Sequence, residues 1–115
     1  MLRGEVRLTD LAPARPGEAD KRRPAVIVSN DHANTVAAQL GRGVVTVVPI
    51  TSNVDRVFPF QVLMPSHDTG LRVDSKAQAE QVRSASVERV GPAVGRLPTH
   101  LMTQLDAALR LHLDL

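Results

Sequence analysis

The chain has 115 residues, 43% of them apolar, with a net charge of +2 and no cysteine; that length suits one domain over residues 1–115 around a single core. The composition excludes disulfides, thiolate nucleophiles and cysteine zinc sites, and no apolar run approaches the roughly 18 residues that would span a bilayer. Met1-Leu2-Arg3-Gly4-Glu5 meets charge at once, instead of the apolar stretch of a secretory signal, so a cytoplasmic protein away from the membrane is expected.

In chain order, a first strand is predicted at Glu5 to Thr9, followed by a long exposed loop from Asp10 to Arg23 that carries Pro13, Pro16 and Gly17 and no apolar period. Loops of this length in small domains are usually functional. Ala25-Val26-Ile27-Val28 reads as a central strand buried on both faces. Ser29-Asn30-Asp31 caps a helix from about Asp31 to Leu40, which Gly41 and Gly43 end. Val44 to Val48 is the strongest strand by β-branched content, and Pro49 argues for an edge or turn beside it. Phe58, Phe60 and Val62 alternate with Pro59, Gln61 and Leu63, which predicts a further edge strand carrying both aromatics.

From Ser75 to Arg83 the local signals favour helix, with Ser75 and Gln78 as a capping box. Leu97, Leu101, Leu105, Leu109 and Leu113 recur every four residues behind Pro98, which predicts an amphipathic terminal helix with Pro98 at its first position.

Several segments together resemble one family, the MazF/PemK/Kid toxins of bacterial toxin–antitoxin systems. They are Arg3-Gly4-Glu5-Val6, Glu18 ahead of Arg23-Pro24, Ala25-Val26-Ile27-Val28-Ser29-Asn30, Val48-Pro49-Ile50-Thr51-Ser52, Phe58-Pro59-Phe60-Gln61-Val62 and Glu80-Gln81-Val82-Arg83-Ser84. The resemblance implies a mainly β fold, an SH3-like small barrel with a C-terminal amphipathic helix, and it replaces the local helix at Ser75 to Ser84 with strands. It also implies an endoribonuclease of the mRNA-interferase type, working as a homodimer without metal or other cofactor, that cuts single-stranded RNA to leave 2′,3′-cyclic phosphate and 5′-hydroxyl ends and so inhibits translation. The implied partner is a MazE-like antitoxin with a disordered, often acidic tail. By position in the motifs, the catalytic residues are Arg23, Thr51 and Glu18. Candidate RNA contacts are Arg22, Ser52, Asn53, Arg56, Phe58, His67, Gln81 and Arg83. Two positions depart from the family pattern: Pro16-Gly17 stands where Gly-Ser is usual, and Arg7 where the first strand usually has an aromatic.

The residue chemistry fits that assignment. Twelve of the 14 basic residues are arginine, whose planar fork can donate two hydrogen bonds to phosphate oxygens. Cleavage by an internal 2′-hydroxyl needs that hydroxyl deprotonated, the phosphorane charge stabilised and the 5′-oxygen protonated. Arg23 suits the second task and Thr51 adds a hydroxyl donor, but neither is an easy base, which leaves Glu18 for that role. Taken singly, an arginine beside proline is most often a surface ion-pair partner, Thr51 a turn residue and Glu18 a solvated charge. His32, His67, His100 and His112 are dispersed, and no metal-ligand spacing occurs.

Three other functions remain as alternatives. A CcdB-like gyrase poison resembles this chain in fold, but its activity rests on a terminal Trp-Gly-Ile where this sequence reads Leu113-Asp114-Leu115. A non-catalytic SH3-like module would need tyrosines and tryptophans in its groove. A ribosomal-type RNA binder would need a denser basic surface.

Overall fold

The β-branched runs become the middle of one antiparallel sheet. In the computed structural model the described residues are 1–11 and 22–115; Glu18 and most of the loop expected before Arg23 lie outside them. The elements are β1 (Glu5–Asp10), β2 (Arg22–Ile27), α1 (Asp31–Leu40), β3 (Val44–Thr51), β4 (Gln61–Met64), α2 (Ser66–Thr69), β5 (Ser75–Gln78), β6 (Arg83–Ser86), β7 (Val90–Arg96) and α3 (Thr99–Leu113). Strands follow one another in the order β4-β5-β3-β2-β1-β7, and β6 also pairs with β3.

Burial on both faces explains the continuous apolar runs. Val26 and Val48 point into a core beneath Leu101, Leu105 and Ala108 of α3. Their neighbours Ala25, Ile27, Val45 and Val47 point into a second core with Ala37 of α1. The alternation follows from the two-residue period of a strand. Each large side chain fully buried in this way contributes roughly 1.5–3 kcal/mol.

Helix α1 has the expected bounds. The Asn30 carboxamide accepts the Ala33 N–H at 2.8 Å, and Gly41 closes the helix in the left-handed region at φ 65°. Asn34 is fully buried; its amide donates to the Ser29 carbonyl at 2.9 Å and its oxygen accepts the Ser29 hydroxyl.

Several expectations change. Arg22, Arg23 and Pro24 belong to β2 instead of a loop. Pro49 lies inside a central strand, which tolerates it because β6 pairs with Val44 to Val47 and β5 with Ile50 and Thr51. The missing N–H thus falls between two partners. Phe58, Pro59 and Phe60 form a turn, with the Gln61 N–H on the Phe58 carbonyl at 2.8 Å, so the edge strand β4 starts only at Gln61. Ser75 to Ser86 forms β5 and β6 around a 3-10 turn, in line with the resemblance and against the local helix signals. Pro98 caps α3 instead of opening it, and Leu113 is 49% exposed.

Strand β7 has no counterpart among the expected elements. The sheet is not closed by hydrogen bonding, since β4 and β7 are its two ends among the described residues. The backbone of α2, which follows β4, instead lies against β7. A Cβ at Gly95 would stand 1.9 Å from the Thr69 carbonyl oxygen, and one at Gly70 would stand 3.0 Å from that of Val94. Only glycine at position 95 permits this approach.

Candidate active site

The register of the central strands assembles the site. Ala25 pairs with Pro49 across β2 and β3; continuing two residues along both antiparallel strands brings Arg23 level with Thr51, on one face. Both line a cavity of about 480 Å³. Its walls are Leu8 of β1, the Arg22-Arg23-Pro24 start of β2, Ile50, Thr51 and Ser52 at the exit of β3, the segment from Gly70 to Val73 with Ser75, and Val94 of β7.

Three arginines, Arg22, Arg23 and Arg72, are among the residues that line this cavity, and no Asp or Glu among the described residues lines it. Such a cleft attracts and holds an anion. The exposed Arg23 side chain makes no ion pair or hydrogen bond among the described residues, whereas Arg22 has bonding partners of its own. Thr51 is half-buried, and its Oγ1 accepts the Asn53 N–H at 3.3 Å. Its own hydroxyl proton therefore stays available to a ligand.

Of the expected residues, Arg22, Arg23, Thr51 and Ser52 come together at the cavity, and Glu18 lies outside the described residues. Asn53, Arg56 and Phe58 are on the β3–β4 loop and do not line the cavity. That loop is pinned at several points: the Asp55 N–H donates to Asn53 Oδ1 at 3.2 Å, the Phe58 N–H to Gln61 Oε1 at 3.1 Å, and Gln61 Nε2 to both Glu80 oxygens at 2.9 Å. Buried Lys76 donates from Nζ to the Arg56 carbonyl at 2.5 Å. The Phe58 ring stacks on Phe60, with centroids 5.4 Å apart, and also carries the Arg56 guanidinium 5.4 Å from its centroid. His67 on α2 is 3.5 Å from Asp68. Gln81 ends the 3-10 turn after β5. Arg83 donates to the Leu11 carbonyl, which ties β6 to the end of β1. None of these three lines the cavity.

Arg72 and its apolar neighbours Leu71 and Val73 line the cavity although none of the three was among the expected site residues. Their only signal was a basic residue between two aliphatic ones. No group of three or more His, Asp or Glu able to hold a metal occurs among the described residues, nor is any helix there long and apolar enough to cross a membrane.

The fold and cavity define a small β-sheet protein with a cationic cleft at the ends of its central strands. The model of the PemK-like, MazF-like toxins of type II toxin–antitoxin systems matches residues 2–113, and the chain belongs to that family. The endoribonuclease MazF9 of Mycobacterium tuberculosis is 58% identical over 115 residues, covering 100% of this chain and 98% of that protein. The endoribonuclease MazF2 of Mycobacterium bovis is 32% identical over 98% of this chain and 96% of its own length. Among solved structures, a mycobacterial endoribonuclease in complex with its cognate antitoxin superposes with a TM-score of 0.79 at 26% identity, covering 100% of this chain and 96% of that one.

Proposed function

We propose that this toxin-family endoribonuclease cuts single-stranded RNA in the cavity holding Arg23 and Thr51, using the RNA's own 2′-hydroxyl as nucleophile and no metal. The observation that carries the reading is the presence of Arg23 and Thr51 together in the lining of a cleft with no lining carboxylate among the described residues. The 2′-oxygen forms a bond to phosphorus and loses its proton to a base; the bond from phosphorus to the 5′-oxygen breaks and that oxygen is protonated. The products are a 2′,3′-cyclic phosphate and a 5′-hydroxyl. Arg23 donates to the non-bridging oxygens, where charge grows in the transition state, and Thr51 adds a neutral donor. Glu18 is assigned the base role on its place in the family motif.

Cleavage of cellular RNA by this route inhibits translation. An antitoxin with an acidic segment suits the same cleft, because carboxylates can occupy phosphate positions on arginine; the likeness to an endoribonuclease–antitoxin complex supports such a partner. The working form is assigned as a cytoplasmic homodimer.

A substrate RNA carrying a single 2′-deoxy residue at the mapped cut tests the mechanism. Cleavage should stop at that position alone, and continued cutting there would exclude the 2′-hydroxyl as nucleophile.

A further inference from the structure

We propose that Arg72 is a phosphate-binding residue, gripping a phosphodiester next to the scissile one and setting how tightly RNA is held. This rests on the cavity being the RNA-cleaving site.

Arg72 lines the same cavity as Arg23 and Thr51, but from the α2–β5 segment across from them in the chain. It is exposed, and its side chain has no ion pair or hydrogen bond among the described residues. Some of the other arginines are committed elsewhere, Arg3 to Asp106, Arg7 to Glu5 and Arg83 to the Leu11 carbonyl; what sets Arg72 apart from the rest is its place in the cavity wall. An arginine with no partner among the described residues, beside a cavity that no carboxylate among those residues lines, offers its fork to an anion.

The backbone beneath Arg72 is held firmly. Thr69, almost fully buried, donates to the Pro65 carbonyl at 2.8 Å and accepts the Leu71 N–H at 3.3 Å. On the other side, buried Ser75 donates to the Val73 carbonyl at 3.0 Å. The Ser66 N–H meets Asp74 Oδ1 at 2.9 Å, which closes the segment on itself. The contact of Gly70 and Thr69 with β7 fixes it to the sheet. Little backbone ordering is then left for binding. Leu71 and Val73 on either side offer aliphatic surface without hydrogen-bonding groups, which favours charge pairing over base reading at this wall.

The test uses a single-stranded RNA of the mapped cut sequence, blocked at the cut by a 2′-O-methyl group. Its binding is measured by fluorescence anisotropy across a salt series, beside steady-state cleavage of the unblocked RNA. Arg72→Ala should weaken binding about tenfold and reduce the slope of log K against log salt by about 0.7, the share of one phosphate on a single strand. KM should rise about tenfold while kcat changes less than about threefold. Arg72→Lys should keep the salt slope. Arg42→Ala, on the α1–β3 turn at the other end of β3, serves as the charge control.

Arg72→Ala behaving like Arg42→Ala would overturn the inference, as would a loss confined to kcat or a loss that depends on one base of the RNA. Wild-type protein that neither binds nor cuts RNA would overturn the reading beneath it as well. Wild-type cutting abolished by Arg23→Ala, with Arg72→Ala unaffected, would overturn this inference alone.

Discussion

Arg23 and Thr51 show how a residue's surroundings decide its role. Arg23 is exposed and makes no ion pair or hydrogen bond among the described residues, so Arg23→Ala should leave the melting temperature unchanged and lower the cleavage rate by about 10²–10³-fold, the usual effect of removing one transition-state donor. Arg23→Lys should recover little of that loss, since an ammonium cannot supply the planar fork. Thr51→Val keeps the shape and removes the hydroxyl; kcat should fall about tenfold with KM nearly constant. Both residues were legible as candidates because they lie in ordered motifs, Arg23 directly before Pro24 and Thr51 two residues after Pro49, and strand register then brings them level. Arg72 was not, because nothing local separates it from any other exposed arginine. Only the tertiary wall it stands on makes it a candidate.

The elements differ in how plainly the sequence announces them. The two-faced strands β2 and β3, the capped helix α1 and the leucine stripe of α3 were legible because each follows one period or one capping pattern. Strand β7 was not. Val90-Gly91-Pro92-Ala93-Val94-Gly95 has no alternation, since the strand is selected for close backbone approach rather than for side-chain burial. Gly95→Ala should therefore destabilise the fold by about 3 kcal/mol, seen as a lower urea midpoint; an unchanged midpoint would mean that α2 does not press on β7. Ser75 to Gln78 carries helix signals but is a strand because β3 and β4 both pair with it, and tertiary pairing outweighs a weak propensity. Near α1, Asn34→Leu should cost about 2 kcal/mol, because the Ser29 carbonyl and hydroxyl lose their buried partner.

For the whole molecule, the charges around Glu5 make stability depend on pH. Burial raises the Glu5 carboxyl pKa, but the Leu2 N–H, the hydrogen bond and charge of Arg7 and the N-terminal charge outweigh it and hold the group below its ordinary 4.5. A lowered folded value means that this contribution to stability is present above the ordinary value and fades as pH falls through the folded one. Glu5→Gln should thus melt lower at neutral pH and lose less stability on acidification than wild type; parallel pH profiles would contradict this.

The family assignment and the cationic cleft meet in one claim, that Arg23 drives metal-free cleavage of RNA. Incubating the purified protein and its Arg23→Ala variant with a long single-stranded RNA in excess chelator, and mapping the new ends, tests it directly. The account predicts discrete cuts by wild type alone, bearing 2′,3′-cyclic phosphate and 5′-hydroxyl ends. Intact RNA with the wild-type protein, or cuts at full rate by Arg23→Ala, would contradict it.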